Sequence, residues 1–442
     1  MSGMVAGLGP PPRGDKACAQ CVPLLPMESR TIRRVLVWAG AATLAATVAG
    51  CGSNAQFVSG PGSEAPPESI AAVAITPEEG TEEVPVSAEL EIEVTDGELT
   101  EVVLESEDGE TIEGQMRPDG SAWVPQTPLS YETTYTATAT ALDEFEVPTT
   151  AQTSFTTMSS PPNRVWASLW NGSEYHYGQA TPIMVDFSRD FSVPEEERAN
   201  VEKRLFVESD PPQPGAWHWF SGNHLEYRPK EFWQPGTVID VRIALGGLPL
   251  GGDLYGEQDI TGTIHIDSDA RIVEVDNESK TMTAKKNGET VKSMPISLGK
   301  PSTPSYSGTM IVMEKLAETV FDTTNEPGCN GEEDGDNCYI TDIQWAQRLT
   351  WSGQFIHSAP WSVGDQGVRN VSHGCVNASA ADSEWIFNFT KIGDPVIVTG
   401  TEQHLPYGDG FTAFDLSWED FLAGSYLPAP DEYDDSAESD MN

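Results

Sequence analysis

The sequence predicts a mainly β protein: two β-sandwich domains in series, then a β-rich third domain with one or two short helices. Strict polar–apolar alternation, as in Glu89-Leu-Glu-Ile-Glu-Val and Tyr135-Thr-Ala-Thr-Ala-Thr-Ala, has the two-residue period of half-buried strands. A length of 442 residues is too great for one core and fits about three domains. Only Ser379 to Ile392 carries a clear helix-start signal, with Ser379 as N-cap and Trp385, Phe387 and Phe389 as bulk behind it. The charge balance of 24 basic against 69 acidic residues gives −45. That excludes a basic nucleic-acid footprint and disfavours non-specific binding to anionic lipid headgroups.

Residues 1–50 read as an upstream extension plus a signal peptide. Arg30, Arg33 and Arg34 precede the apolar run Val35–Val48 and the small residues Ala49 and Gly50, a secretory pattern. The run is too short to span a membrane comfortably. Val48-Ala-Gly-Cys51 resembles a bacterial lipobox, which implies that Cys51 is lipidated and becomes the first mature residue. The stretch before Met27 is Gly/Pro-rich and fits no signal, so Met27 is the expected start. Cys18 and Cys21 within it are too isolated to argue for redox or metal chemistry. Residues 51–69, from the lipidated cysteine onward, are rich in Gly, Ser, Pro and Ala and read as a flexible tether.

Residues 70–159 are expected to form an immunoglobulin-like sandwich with Pro-Asp-Gly at 118–120 as a turn; it contains no cysteine. Residues 160–269 are expected to form a second. Pro182-Ile-Met-Val-Asp-Phe and Thr237–Leu245 read as strands, and Trp217-His-Trp-Phe puts two indoles on one face. Clustered aromatics of this kind form a sandwich core more often than a glycan platform. His176, His218, His224 and His265 read as structural or surface residues.

The third domain spans 270–400. Strands are expected at 272–276, 281–285 and 290–298, with Asp276-Asn277 and Asn287-Gly288 as turn centres. A long acidic loop is expected from Ala317 to Asp342, carrying Cys329 and Cys338, and a closing strand at Asp394–Thr399. Residues 401–428 are aromatic-rich and should pack back on the body. The acidic tail 429–442 has no apolar anchor and is expected to be disordered.

The chemistry concentrates between His357 and Asn377. Two of the seven histidines lie within eighteen residues of Cys375, one of six cysteines, and His373-Gly-Cys375 places imidazole and thiol two residues apart. On an extended backbone such residues share a face, and Gly374 permits a tight turn. An imidazole can take the thiol proton, making Cys375 a nucleophile with His357 or His373 as base. Residue types alone leave two alternatives open. One is a buried Cys beside a satisfied His. The other is zinc on His357, His373 and Cys375, with Asp365 or Asp382 as the fourth ligand a structural site needs.

His357-Ser-Ala-Pro-Trp and Ser372-His-Gly-Cys-Val-Asn, with Met294–Pro304, Ser307-Gly-Thr-Met, Tyr339-Ile-Thr-Asp and Trp351-Ser-Gly-Gln-Phe upstream, resemble the L,D-transpeptidases, YkuD-like cysteine enzymes of bacterial cell walls. The resemblance implies a YkuD-like catalytic domain and a peptidoglycan cross-linking acyltransferase. Cys375 would be the nucleophile and His357 the base, oriented by the carbonyl of Ser358. His373 would hold the loop. Amides around Gly374 and Cys375 and the Tyr339 hydroxyl would serve the oxyanion, and Trp361, Ser372 and Asn377 would line the pocket. The loop from Ala317 to Asp342, which includes Tyr339, corresponds to a flap over the site. In an exported chain Cys329 and Cys338 are expected to staple it as a disulfide.

The implied reaction joins peptidoglycan tetrapeptide stems 3→3, without metal or cofactor, and carbapenems should acylate Cys375. Hydrolysis by the same acyl-enzyme (L,D-carboxypeptidase), attachment of a lipoprotein to the wall, and a non-catalytic wall-binding scaffold are the alternatives. The expected state is a monomer on the outer face of the cytoplasmic membrane, anchored through Cys51.

Overall fold

A computed structural model describes residues 68–428, apart from 118–119, 325–328, 330, 332 and 334–337. The expectations for the extension, signal, Cys51, the tether, the centre of the 118–120 turn and the tail 429–442 lie outside those residues.

The first sandwich sets a five-stranded sheet, in the order Thr81–Val84, Pro148–Thr157, Thr134–Leu142, Glu98–Ser106, Thr111–Ile112, against smaller strand pairs. Alternation decides which face is buried. Tyr135, Ala137, Ala139 and Ala141 are buried while the threonines between them are half-exposed. Ala137, Ala139 and Phe155 meet Leu90, Ile92 and Trp123 from the facing strands.

The second sandwich pairs two four-stranded sheets. One is Ala167–Leu169, Ile183–Phe187, His224–Pro229, Gly215–Ser221; the other is His176–Tyr177, Ile260–Ile266, Val238–Ile243, Leu205–Asp210. Trp217 and Trp219 point inward with Tyr227 and Trp233 to form its core, so these aromatics are packing rather than platform. His218 and His224 are held by hydrogen bonds within the fold. His218 Nδ1 bonds Phe421 O and its Nε2 the Tyr407 hydroxyl, each at 2.7 Å, while His224 lies between Asp186 and Glu226.

The third domain has a six-stranded sheet, Glu289–Pro295, Thr281–Lys286, Arg271–Asp276, Pro395–Thr399, Tyr306–Ile311, Gln403–His404, and a four-stranded sheet, Glu314–Asp322, Ile340–Arg348, Phe355–Ser358, Val376–Ala378. Asn287 (φ 51°) and Gly288 (φ 83°) close a two-residue hairpin, both left-handed as a type I′ turn requires. The helix Ala380–Phe389 begins at Ser379, whose side chain accepts from the Asp382 amide. Its end is earlier than Ile392 because Thr390 is extended and Gly393 (φ 93°) turns the chain. The half-buried Lys315 donates from its ammonium to the carbonyls of Phe387 and Thr390, covering the helix C-terminus.

The long loop expected at 317–342 is shorter in the structure. Glu314–Asp322 and Ile340–Arg348 form an antiparallel hairpin, so only 323–339 connects them. Glu318, Asp322 and Asp342 lie exposed on its outer face, whereas Phe321 and Ile343 pack with Phe355. An acidic composition that reads as loop is here the wet face of two strands. Cys329 and Cys338 are joined by a disulfide within the connection.

Residues 401–428 run from the third domain back onto the second sandwich. Arg228, 2% exposed, donates to the carbonyls of Ala413 at 2.8 Å and Leu416 at 3.0 Å, beneath the rings of Phe414, Trp418 and Phe421. Nearby, buried Glu202 accepts from the Ser425 hydroxyl and the Tyr426 amide at 2.7 and 2.9 Å. The loop at Gly178–Ala180 also bonds the carbonyls of Ile392 and Gly393, at 2.7 and 2.9 Å.

Candidate active site

Two short parallel strands create the site. Phe355–Ser358 pairs with Val376–Ala378 in a register that sets His357 opposite Asn377. Cys375 immediately precedes the second strand, two residues before Asn377, and so falls on the same face as Asn377 and His357. The two residues face a cavity of about 490 Å³ that Tyr339, Trp361, Ser372 and His373 also line.

His357 is 4% exposed, and the Phe321 and Trp361 rings lie near it, with centroids 5.3 and 6.1 Å from its own. Its Nδ1 is 2.9 Å from the carbonyl of Ser358. A carbonyl only accepts, so the proton sits on Nδ1 and the lone pair is on Nε2. Burial pushes this imidazole down to about 4, against the smaller opposing pull of the Ser358 carbonyl. Burial pushes the Cys375 thiol up to about 11. Cys375 as a residue is half-buried and packs against the cluster of Ile343, Ala346 and Phe355. Near neutral pH imidazole and thiol are therefore both uncharged. In the resting structure the thiol donates to the carbonyl of Gly353 at 3.7 Å.

Hydrogen bonds fix the loop that carries Cys375. Ser372 Oγ donates to the carbonyl of Cys375 at 2.6 Å and accepts from the Gly374 amide at 3.1 Å. Ser305 Oγ donates to the carbonyl of Gly374 at 2.6 Å. Gly374 has φ 126°, a conformation that side chains resist, and a Cβ there would sit 3.4 Å from Gln354 Nε2. In this conformation the Gly374 amide is therefore already engaged. Asn377 is buried; its Nδ2 donates to Ser362 Oγ at 3.3 Å.

Tyr339 directly follows the disulfide cysteine Cys338 and lies beside His373, ring centroids 5.6 Å apart. Burial, and then the neighbouring Cys375, raise its phenol. His373 is exposed at the rim, where the Lys300 ammonium donates to its Nε2 at 3.0 Å. Trp361 is 59% exposed beside His357.

Asp365 and Asp382, considered above as fourth zinc ligands, are occupied elsewhere. Asp365 pairs with Arg369, and Asp382 with Lys292 at 2.7 Å and the Ser379 hydroxyl at 2.7 Å. Among the described residues no three His, Cys, Asp or Glu side chains are grouped to hold a metal ion.

Sequence reasoning gave no role to Ser305, Gly353, Gln354, Phe321 or Lys300. Lys300, Ser305, Gly353 and Gln354 fall in or beside the segments Met294–Pro304 and Trp351–Phe355, singled out only as stretches of resemblance. Strand pairing, which sequence separation hides, brings them to Cys375.

Residues 270–398 match the family model described as an L,D-transpeptidase catalytic domain, and residues 81–249 match that of a bacterial Ig domain. The chain is 34% identical over 354 residues to L,D-transpeptidase 2 of Mycobacterium tuberculosis, spanning 78% of this chain and 83% of that protein. It is 30% identical over 358 residues to L,D-transpeptidase 5 of the same species, spanning 78% and 75%. A solved L,D-transpeptidase in complex with imipenem is 33% identical, with a TM-score of 0.45, covering 54% of this chain and 100% of that one.

Proposed function

The chain belongs to the L,D-transpeptidase family, and from that premise we propose that it is a peptidoglycan transpeptidase forming 3→3 cross-links through a thioester on Cys375. The observation that carries the reading is the shared cavity of Cys375 and an imidazole, His357, whose Nδ1–H is fixed on Ser358 O.

In this reading the uncharged thiol turns from the Gly353 carbonyl toward the substrate. Its sulfur attacks the carbonyl joining the third and fourth stem residues, and its proton passes to Nε2 of His357. The carbon–nitrogen bond breaks, the departing amine takes that proton, and the third residue's acyl group remains on sulfur. A side-chain amine of a second stem then attacks the thioester; the new amide forms and sulfur leaves, recovering a proton. With the Gly374 amide held by Ser372 Oγ, the Cys375 amide and the Tyr339 hydroxyl are the oxyanion donors we assign. His373 and Ser372 hold the loop, and Trp361 and Asn377 shape the pocket.

Intact-mass measurement of the protein after exposure to a carbapenem tests the nucleophile. We expect one adduct on the wild type and none on Cys375→Ala; an unmodified wild type, shown to be folded, would sink the reading. Incubation with tetrapeptide-stem dimers then separates transfer from hydrolysis, since only transfer gives the cross-linked dimer.

We also propose export and anchoring through a lipid on Cys51, on the strength of residues 30–51. Mass analysis of the mature N-terminus tests this; an unmodified Cys51 refutes it.

A further inference from the structure

We propose that Lys300 reads the free carboxylate of the donor stem, the one carried by the D-amino acid that departs when Cys375 is acylated. The inference rests on the transpeptidase reading above and names what that site selects.

A protein of net charge −45 repels an anionic peptide at long range, so a stem bearing carboxylates needs a local cation at the cavity. Most basic side chains of the catalytic domain are already neutralised. Lys285 sits on Glu274 at 2.6 Å, Lys292 on Asp382 at 2.7 Å, Lys391 on Asp267 at 2.8 Å and Arg348 on Glu314 at 3.1 Å. Lys300 differs: its ammonium donates to Nε2 of His373 at 3.0 Å. A lysine ammonium can only donate, so that nitrogen supplies a lone pair and no compensating negative charge. The other two ammonium hydrogens can serve a ligand.

Placement follows from the backbone. The Lys300 amide donates to the carbonyl of Ser372 at 2.9 Å, and Thr303 Oγ1 reaches the same carbonyl at 3.3 Å. Ser305 Oγ ties the end of this segment to the Gly374 carbonyl at 2.6 Å. The 300–305 segment is thus stitched to the loop that ends in the nucleophile. His373, on which the ammonium rests, lines the same cavity as Cys375.

The chemistry supplies the ligand. On acylation the sulfur–carbon bond forms, the carbon–nitrogen bond breaks, and the fourth residue leaves with the proton relayed by His357. Its carboxyl carbon is two bonds from the nitrogen that departs. A stem ending at the fourth residue carries a carboxylate there, whereas a stem one residue longer carries an uncharged amide. A cation at this rim therefore selects stems of four residues as donors.

The test compares two donors identical except at the C-terminus, one a carboxylate and one a carboxamide, with full-chain wild type, Lys300→Met and Lys300→Arg. Wild type is expected to favour the acid by about tenfold in kcat/KM, mainly through KM, the size of one partly exposed charge-assisted contact. Lys300→Met is expected to lose that preference and Lys300→Arg to keep part of it. Alkylation of Cys375 by uncharged iodoacetamide should proceed equally in all three, showing that fold and nucleophile are intact. A Lys300→Met enzyme that keeps the wild-type preference overturns the inference while leaving the transpeptidase intact. If wild type turns over neither donor, the transpeptidase reading fails and takes this inference with it.

Discussion

Two of the strand histidines, His224 and His357, each with short hydrogen bonds, are driven in opposite directions. In the second sandwich, His224 has both ring nitrogens on carboxylates, Asp186 at 2.8 Å and Glu226 at 3.0 Å. Burial works against its charge, yet the two acids prevail and hold it up to about 10. In the catalytic domain, His357 meets a single carbonyl, burial prevails, and the ring falls to about 4. Two carboxylates at one ring and none at the other separate a structural cation from a base. A pair of acids like those at His224 would have locked His357 as imidazolium, unable to accept a proton.

Substitution gives the largest test of this contrast. His357→Asn should lower the carbapenem acylation rate by roughly 10²–10⁴, read by intact mass against time, while His224→Gln should leave it within about twofold. Comparable losses from both would dissolve the contrast. Next comes Gly374→Ala, which forces a side chain onto φ 126° and should cost about 1–3 kcal/mol. A lowered Tm together with slower acylation would show that the loop, and not the base alone, sets the thiol.

The pH dependences should run in opposite senses. Acylation needs neutral His357, so its acid limb is expected near pH 4 and not near 6.5; a limb at 6.5 would mean that burial does not act as argued. His224 is raised in the fold, so its contribution to stability is whole below about 6.5 and is lost as pH climbs toward about 10. Tm measured across that window should decline less in His224→Gln than in wild type. The smallest effect is expected at Lys292, whose ion pair with Asp382 at 2.7 Å is partly exposed. Lys292→Ala should change stability by about 1 kcal/mol or less in chemical denaturation.

Much of this was legible in the sequence where a signal is local. The alternation around Ala137 and Ala139, the Asn287-Gly288 turn and the Ser379 cap each act within a few residues, and the strands and helix follow them. His357, His373 and Cys375 announced themselves by spacing. What stayed hidden depends on pairing across long separations. Ser305 reaches Gly374 over 69 residues, and Gly353 receives the thiol from 22 residues away. The loop boundary at 317 was misread because Glu318 and Asp342 look like loop composition, although they occupy the solvent face of a hairpin. The route taken by 401–428 was visible only as aromatic content. No periodicity in that segment says that Arg228, some 185 residues earlier, is what it covers.

That coverage bears on how such a chain can be cut, fused or recombined. The Ala413, Leu416 and Ser417 carbonyls that accept from Arg228 arrive only after the catalytic domain has been completed, so middle sandwich and enzyme are closed by a shared clasp. A gene fragment ending at residue 400 would leave that guanidinium only the neighbouring carbonyls of Pro229 and Lys230, and would lack Phe421, whose ring lies against it. The interchangeable unit is therefore the pair, and a shuffled descendant would have to inherit both domains and the clasp together.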